Sequence, residues 1–291
     1  TADHLDFHGS LDEYFRAKAR LFEDLAPSST AVINIDDHHG QKLVGLTGAR
    51  VLTYGFSPSA DIHPVEIVDL PWIRGRMKLP QGTVTLEMPL VGRFNVANAM
   101  AAIGTGLALG LAPEEIAKGL KNAKPVPGRF EPVQAGQDFT VVVDYAHTPD
   151  ALENVLMAAR RMTGNTGRVI CVVGCGGDRD PFKRPVMGRI ASEISDICVF
   201  TSDNPRSEDP EAILDAISKG VPKDRTFERI ESRKAAIRHA ISVARRGDIV
   251  VIAGKGHEPY QEIQGVRYPF DDRLEARAAL DELAGETIKK S

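Results

Sequence analysis

Four short apolar runs in the second half of the sequence each lead into a polar, mostly glycine-rich segment. These segments read DYAH, GCGGDRD, TSDNPR and AGKGHE, at residues 144–147, 174–180, 201–206 and 253–258. In DNPR, the Asn-Pro pair favours a turn, after which Arg206 offers a planar guanidinium suited to a carboxylate. Arg179 adds a second cation and Glu258 an anion. These residue types could bind a zwitterion, with the arginines on its carboxylate and the glutamate on its ammonium.

The glycine-rich segments do not match a phosphate-binding motif. GCGG resembles half of a dinucleotide fingerprint but lacks the GxGxxG spacing. Lys255 lies in the only Gly-Lys pair of the sequence, and a phosphate loop would need glycine where Ile249 stands. A dinucleotide-dependent oxidoreductase would also need an acidic residue about 20 positions past the glycines, at the end of a second strand. Asp196 lies at that distance but begins its strand, so this alternative is disfavoured.

The elements that must position these segments are readable from the same runs. Each run is rich in β-branched residues and apolar for most of its length, which is typical of strands buried on both faces of a parallel sheet. Helical patterns separate them, at residues 150–162, 185–195, 211–219 and 232–245. This alternation predicts an α/β fold with a doubly wound, mostly parallel, Rossmann-like sheet. Ligands bind at the carboxyl ends of such strands, where the four polar segments begin.

The first half is less regular. Its patterns predict helices at 12–25, 95–109 and 113–120, strands at 30–35 and 50–54, and an antiparallel hairpin or meander over 62–70 and 84–88. The segment NAKPVPGRFEPV, residues 122–133, contains three prolines and a glycine, which is typical of a domain boundary. We therefore expect two domains, residues 1–124 and 125–291.

Composition excludes little. Charged residues make up 26%, hydrophobic ones 42%, and the formal net charge is -4, which gives no electrostatic reason to expect nucleic-acid or membrane-surface binding. No apolar run approaches the roughly 18 residues that a membrane helix needs. The three cysteines lack CxxC spacing and are expected to be unpaired thiols in a reducing compartment. The protein is therefore expected to be cytoplasmic.

Several motifs together carry a specific resemblance. DHLDFHG, KARLF, GRFNVANAMAA, VPGRFE, VDYAHTPDALENVL, GCGGDRD, TSDNPR and AGKGHE occur in the order found in the Mur ligases. The sequence resembles the branch of that family that adds meso-2,6-diaminopimelate to UDP-N-acetylmuramoyl-L-alanyl-D-glutamate. DNPR is the most discriminating motif, because in the family it marks selection of diaminopimelate over L-lysine. The resemblance implies an ATP-dependent ligase that acts through an acyl phosphate.

The resemblance also implies three groups of site residues. His4 matches the family's magnesium-site histidine, and Lys18 matches a lysine that is carbamylated there, so both are expected to be catalytic and to hold Mg²⁺. The nucleotide is expected to contact Asn95, Asn98, Arg129, Asp144 and His147. Diaminopimelate is expected to contact Arg179, Asp203, Asn204, Pro205, Arg206, Gly254 and Glu258.

The sequence departs from the family pattern at its start. The family's phosphate loop and its UDP-sugar domain are not found in these 291 residues. The expectation is an incomplete central ATPase domain, residues 1–124, followed by an amino-acid-binding domain, residues 125–291, with the piece inactive by itself. The alternatives are a non-catalytic amino-acid-binding module and a Mur ligase that adds another amino acid, such as L-lysine. The expected partners are small molecules: ATP, the UDP-linked dipeptide and diaminopimelate.

Overall fold

Alternating strands and helices fill most of the chain, as the sequence pattern predicts. A computed structural model describes residues 10–69, 72–164 and 166–290. Contacts divide the chain into two units, with the division between Lys124 and Pro125.

The N-terminal unit contains two small sheets and four described helices. The helices are α1 (Leu11–Glu23), α2 (His38–Val44), α3 (Arg93–Ala108) and α4 (Pro113–Lys121). Strands β1 (Thr30–Asn34) and β2 (Arg50–Tyr54) pair in parallel. Strands β3 (His63–Val68), β4 (Ile73–Leu79) and β5 (Gly82–Met88) form an antiparallel sheet. Alternate residues of β4 and β5 point into a core with α3, which explains the period-two pattern of burial.

The sequence did not predict β4 or α2. Charged and glycine residues interrupt the apolar pattern of β4, whose sequence is IRGRMKL. Position 75 requires glycine, because a Cβ there would lie only 2.1 Å from the Glu66 carbonyl oxygen. Packing against β3 thus requires a glycine at this position. In the sequence alone, however, a glycine argues against a strand.

The C-terminal unit is built on a six-stranded sheet. Its strands are β6 (Glu131–Pro132), β7 (Thr140–Asp144), β8 (Val169–Val173), β9 (Ile197–Phe200), β10 (Glu228–Arg229) and β11 (Ile249–Ala253). The strand order is β10-β9-β8-β11-β7-β6, with all neighbours parallel except β6, which is antiparallel to β7. The predicted fold class, α/β with a doubly wound, mostly parallel sheet, is confirmed.

Helices cover both faces of this sheet. Helices α5 (Pro149–Thr163), α6 (Lys183–Ile194) and α7 (Pro210–Ser218) pack side by side on one face. Helices α8 (Arg233–Val243) and α9 (Asp272–Lys290) pack on the other, against alternate residues of β7, β8 and β11. Because both faces are covered, every residue of β8 and β11 is buried. A hairpin of β12 (Tyr260–Ile263) and β13 (Val266–Pro269) precedes α9 and was not predicted.

Helix starts follow the expected capping chemistry. Thr148, Asp209 and Ser232 each accept a backbone N–H of the first turn of α5, α7 and α8. Pro149 and Pro210 occupy the next position, where proline costs no hydrogen bond. Among the described helices, none is both long enough and apolar enough to cross a lipid bilayer.

A fully buried ion pair joins the two helices of the second face. The Arg233 guanidinium at the start of α8 donates from Nε and Nη2 to the two carboxylate oxygens of Asp272, each at 2.7 Å. Both side chains are 0% exposed. Nη2 also donates to the Ala253 carbonyl at 3.0 Å and Nη1 to that of Ser202 at 3.4 Å. Arg233 therefore ties the end of β11 and the segment after β9 to α9.

The three cysteines are unpaired and buried. Burial raises the pKa of the Cys171 and Cys175 thiols to about 12, so both are neutral thiols at physiological pH. They act as small apolar core residues, in keeping with the sequence-based expectation of unpaired thiols.

Candidate functional site

Polar loops from three neighbouring strands begin at one edge of the C-terminal sheet. Strands β9, β8 and β11 are consecutive in the sheet and parallel, and they lead into TSDNPR, GCGGDRD and AGKGHE. β7, on the other side of β11, leads into DYAH. The parallel topology thus brings the three loops of the expected amino-acid site to a common edge.

Asn204 is the centre of this site. Its side chain is 2% exposed, and Nδ2 donates to Oε2 of Glu258 at 2.8 Å. Its Oδ1 accepts from Lys255 Nζ at 2.9 Å and from the Glu262 backbone N–H at 3.0 Å. Because an ammonium and a backbone N–H can only donate, the amide cannot flip. Asn204 therefore links the DNPR turn to GKGHE.

Lys255, to which the sequence assigned no role once a phosphate loop was excluded, is a buried part of this network. Its side chain is 0% exposed, and Nζ lies 3.2 Å from Oε2 of Glu258 and 5.5 Å from the centre of the Tyr260 ring. Glu258 is 21% exposed on its side chain, and its Oε1 makes no hydrogen bond to the described residues. One carboxylate oxygen is thus held by the protein, and the other can accept a ligand's ammonium.

Arg206 is held in an unusual backbone conformation. Its φ of 52° lies in the left-handed region, which costs a non-glycine residue about 1–3 kcal/mol. Backbone contacts compensate: its N–H donates to the Glu262 carbonyl at 2.9 Å, and its carbonyl accepts from Gln264 at 2.6 Å. The side chain donates from Nη1 to the Gly177 carbonyl at 2.6 Å, and the other guanidinium N–H groups have no described partner. A carboxylate could bind to those groups.

Two glycines permit the close approach of these loops. A Cβ on Gly177 would lie 2.0 Å from the Pro205 carbonyl oxygen, and one on Gly254 would lie 2.6 Å from Oδ2 of Asp203. Gly254 also has a φ of +118°. Asp203 and Pro205 are buried, and the Asp203 carbonyl accepts from Gln261 Nε2 at 2.7 Å. These residues shape the loops on which Arg206 and Glu258 are carried.

Arg179 is placed differently from Arg206. It is exposed on the GCGGDRD loop and makes no hydrogen bond or ion pair to the described residues. A second arginine, Arg184, is 5% exposed and pairs with Glu208 at 2.7 Å. Neither Arg184 nor Glu208 was predicted as a site residue, because nothing in the sequence indicates that the two side chains meet.

The residues expected to contact the nucleotide divide between the units. Asn95 and Asn98 lie in the first turns of α3, where Asn95 Nδ2 donates to the Val91 carbonyl at 2.9 Å and Asn98 Nδ2 to Asn95 Oδ1 at 3.2 Å. The other three, Arg129, Asp144 and His147, lie in the C-terminal unit. Each unit thus holds part of the expected set.

Within the C-terminal unit the nucleotide candidates form one cluster. The Asp144 carboxylate accepts the Phe130 N–H at 2.7 Å, and burial raises the pKa of this carboxyl group, opposed by that hydrogen bond. The Arg129 guanidinium is exposed and lies 5.1 Å from the centre of the Tyr145 ring. The His147 ring packs edge-on against the same tyrosine at 4.6 Å. This cluster combines an exposed cation with two half-buried rings.

Of the two expected metal-site residues, the structure describes only Lys18. His4 lies outside the described residues. Lys18 is exposed on α1, with Nζ 4.9 Å from the centre of the Tyr14 ring. Within residues 10–69, 72–164 and 166–290, no three His, Cys, Asp or Glu side chains are grouped as metal ligands.

Comparisons with known proteins agree with this architecture. A family model described as "Mur ligase, glutamate ligase domain" matches residues 128–256, and one described as "Mur ligase middle domain" matches residues 1–106. The UDP-N-acetylmuramoyl-L-alanyl-D-glutamate--2,6-diaminopimelate ligase of Gloeobacter violaceus is 51% identical over 282 residues. The ligase of the same name from Solibacter usitatus is 49% identical over 284 residues. Each alignment covers 96% of this chain but only 57% of the relative.

Comparison with solved structures also finds Mur ligases. A structure of a UDP-N-acetylmuramoyl-L-alanyl-D-glutamate--2,6-diaminopimelate ligase matches 98% of this chain and 59% of its own, with 39% identity and a TM-score of 0.63. The MurF ligase of Thermotoga maritima, solved with ADP, matches 96% of this chain and 60% of its own, at a TM-score of 0.71. Its identity of 16% supports the fold alone. The chain belongs to the Mur ligase family, of which it carries middle-domain and C-terminal-domain sequence.

Proposed function

We propose that this chain is part of an ATP-dependent ligase that joins meso-2,6-diaminopimelate to UDP-N-acetylmuramoyl-L-alanyl-D-glutamate in peptidoglycan synthesis. The observation that carries the proposal is the pairing of opposite charges across the DNPR and GKGHE loops. Arg206 offers free guanidinium N–H groups, and Glu258 offers a free carboxylate oxygen. The names of the two bacterial relatives support the same reaction.

Diaminopimelate requires both kinds of contact. Each end of the molecule carries an ammonium and a carboxylate, so a site that reads one end needs an anion and a cation. Glu258 would take the ammonium through Oε1, while Lys255 and Asn204 hold Oε2 in place. Arg206 would take the carboxylate with a charge-assisted, bidentate pair, assisted by Arg179. The proposed subsite consists of Arg179, Asp203, Asn204, Pro205, Arg206, Gly254 and Glu258.

The proposed reaction has two steps. The substrate carboxylate attacks the γ-phosphorus of ATP, which forms an acyl phosphate and releases ADP. The free amine of diaminopimelate then attacks the acyl carbon, and phosphate leaves as the amide bond forms and the nitrogen releases one proton to solvent. Cations near the phosphates stabilise the charge that develops in each step. We assign Asn95, Asn98, Arg129, Asp144 and His147 to nucleotide binding, supported by the exposed Arg129 guanidinium beside the Tyr145 and His147 rings.

Mg²⁺ belongs to the proposal through His4 and Lys18. A carbamate on Lys18 would replace a cation by a carboxylate able to ligate the ion. The bound ion would supply positive charge beside the phosphates. The proposed partners are ATP, the UDP-linked dipeptide and diaminopimelate, with no nucleic acid and no membrane insertion. The proposed compartment is the cytoplasm, where ATP is available.

Ligation by a hybrid protein tests the function. This chain would replace the matching segment of the Gloeobacter violaceus ligase, and product formation would be followed with ATP, the UDP-linked dipeptide and either amino acid. We expect ATP-dependent ligation of meso-diaminopimelate and much slower use of L-lysine. Equal or faster use of lysine would indicate a Mur ligase of different specificity. Diaminopimelate binding without ligation, by a folded hybrid, would favour the non-catalytic binding module.

Carbamylation of Lys18 can be measured directly. In ¹³C-bicarbonate, the hybrid should show a carbamate carbon resonance by NMR, because a neutral lysine amine captures CO₂. Lys18→Arg should remove the resonance, since a guanidinium stays protonated. Lys42→Arg, at another lysine of the same unit, serves as the control and should leave it unchanged. A spectrum without a Lys18-dependent carbamate would remove this residue from the proposed metal site.

A further inference from the structure

A polar cluster next to the proposed amino-acid subsite ties the GCGGDRD loop to the DNPR turn. We call it the loop clamp; it consists of Asp178, Arg184, Ser207 and Glu208. None of these residues belongs to the subsite assigned above. The clamp lies where Arg206 reaches across to the GCGGDRD loop, so its geometry bears on where the guanidinium can point.

The inner part of the clamp is an arginine–carboxylate pair. Arg184 is 5% exposed and donates from Nη1 and Nη2 to the two oxygens of Glu208, at 2.8 and 2.7 Å. Nη2 also lies 3.3 Å from the Gly176 carbonyl oxygen. The hydrogen bonds from Arg184 hold the pKa of Glu208 below its usual value. A bidentate pair of this kind fixes direction as well as distance.

The outer part connects the two loops twice more. Glu208 Oε1 accepts the Asp178 N–H at 2.6 Å. The two oxygens of Asp178 accept the Ser207 N–H at 3.1 Å and the Ser207 hydroxyl at 2.7 Å. Those bonds lower the pKa of Asp178. Both Asp178 oxygens are therefore hydrogen-bonded to Ser207, and the charge of the neighbouring Arg206 also favours the ionised carboxylate.

Both loops also carry backbone strain at the place where the clamp joins them. Asp178 has a φ of 53° and Arg206 one of 52°, and both conformations are unfavourable for residues with a Cβ. Such strain persists only where surrounding contacts hold it. The Gly177 carbonyl that receives Arg206 Nη1 lies between the clamp residue Asp178 and the Gly176 carbonyl near Arg184. Moving the clamp would therefore move the group against which Arg206 rests.

We propose that Glu208 is a positioning residue for substrate selection: it holds the GCGGDRD loop against the DNPR turn, so that Arg206 keeps its free N–H groups directed at the distal carboxylate of the amino acid. This inference rests on the proposed function, because it assigns that carboxylate to Arg206. Arg184 neutralises Glu208, so the one net negative charge of the clamp is that of Asp178, whose two oxygens are hydrogen-bonded to Ser207.

Equilibrium binding to this chain tests the role. Glu208→Gln keeps the shape of the side chain but places an amide N–H₂ against Arg184, which opens the clamp. We expect the affinity for meso-diaminopimelate, measured by calorimetry, to fall about tenfold, and that for L-lysine to change less than about twofold. Glu211→Gln is the matched control, since Glu211 pairs with Arg229 on the exposed side of α7, and both affinities should stay unchanged.

A double-mutant cycle separates positioning from general damage. If Glu208 acts through Arg206, Glu208→Gln should have no further effect on diaminopimelate binding in the Arg206→Ala background. Two results would overturn the positioning role and leave the proposed function standing. One is an equal loss of affinity for both amino acids in Glu208→Gln. The other is an undiminished effect of Glu208→Gln on diaminopimelate affinity in the Arg206→Ala background. If Arg206→Ala itself leaves the preference for diaminopimelate unchanged, the assignment of Arg206 fails, and this inference with it.

Thermal melting would reveal whether Glu208→Gln still folds. If it does not, a second variant tests the clamp. Ser207→Ala removes the hydroxyl donor to Asp178 and leaves the Arg184–Glu208 pair intact. We expect a smaller loss of diaminopimelate affinity, about threefold, again without an effect on lysine. Unchanged diaminopimelate binding in a folded Ser207→Ala chain would argue that the clamp does not position Arg206.

Discussion

Arg206→Ala should lower kcat/KM for meso-diaminopimelate by about two to three orders of magnitude in the hybrid ligase. The substitution removes a charge-assisted bidentate partner, and leaving the distal carboxylate unpaired in a partly desolvated site costs roughly 2–5 kcal/mol. L-lysine lacks that carboxylate, so its kcat/KM should change much less. The measurement is the ratio of the two kcat/KM values, which should fall towards unity.

Arg179→Ala measures how much the second, exposed arginine of the proposed subsite contributes. Arg179 is exposed and makes no described pair, so its removal should change the ratio by less than about tenfold. Glu258→Gln should weaken the binding of both amino acids, because both carry the ammonium that it would receive. A ratio that stays at the wild-type value in Arg206→Ala would mean that Arg206 does not read the distal carboxylate, and the specificity inferred from DNPR would be wrong.

Arg233→Met should destabilise the C-terminal unit by about 3–5 kcal/mol, because it leaves the fully buried Asp272 carboxylate without its partner. It also removes the donors to the Ala253 and Ser202 carbonyls. Native-state hydrogen exchange of the amides in β8 and β11 would measure the loss within this unit. Far-UV circular dichroism would check that the fold is retained.

Two further variants bracket this prediction. Arg233→Met combined with Asp272→Leu removes both charges and should recover most of the loss, since the cost comes from the unpaired charge. Arg189→Met breaks an exposed pair with Glu193 on α6, where the atoms are 4.0 Å apart, and should cost less than about 0.5 kcal/mol. A loss below about 1 kcal/mol in Arg233→Met would contradict the inferred importance of the buried pair.

Elements with a strong local pattern were predictable from sequence. The β-branched runs of β7, β8, β9 and β11 are apolar because both faces of their sheet are covered, so their pattern is intrinsic to each segment. The hairpin of β12 and β13 lacks such a pattern: all four residues of β13 are exposed, and its ladder depends on pairing with β12. Strand β4 was missed for a related reason, since Gly75 is required by its neighbour and not by its own sequence.

The site was predictable as a set of loops but not as a network. Polar residues after parallel strands share an edge whatever their partners, so Asn204, Arg206 and Glu258 could be grouped from topology alone. Lys255 and Glu208 could not be interpreted from sequence. The partner of Lys255 on the DNPR turn lies 51 residues away, and that of Glu208 on α6 lies 24 residues away. Only three-dimensional contacts reveal that Lys255 is buried against Glu258 and that Glu208 is neutralised by Arg184.

The position of β11 between β7 and β8 affects how the C-terminal unit folds during synthesis. During synthesis, residues 140–144 and 169–173 leave the ribosome before residues 249–253, whose strand lies between theirs and pairs with both. Until then, the edges of two apolar strands lack their central partner and can pair wrongly with other chains. The sheet therefore closes late, through contacts distant in sequence, which slows folding. Chaperones that cover exposed strand edges should accordingly have most effect between the emergence of β8 and that of β11.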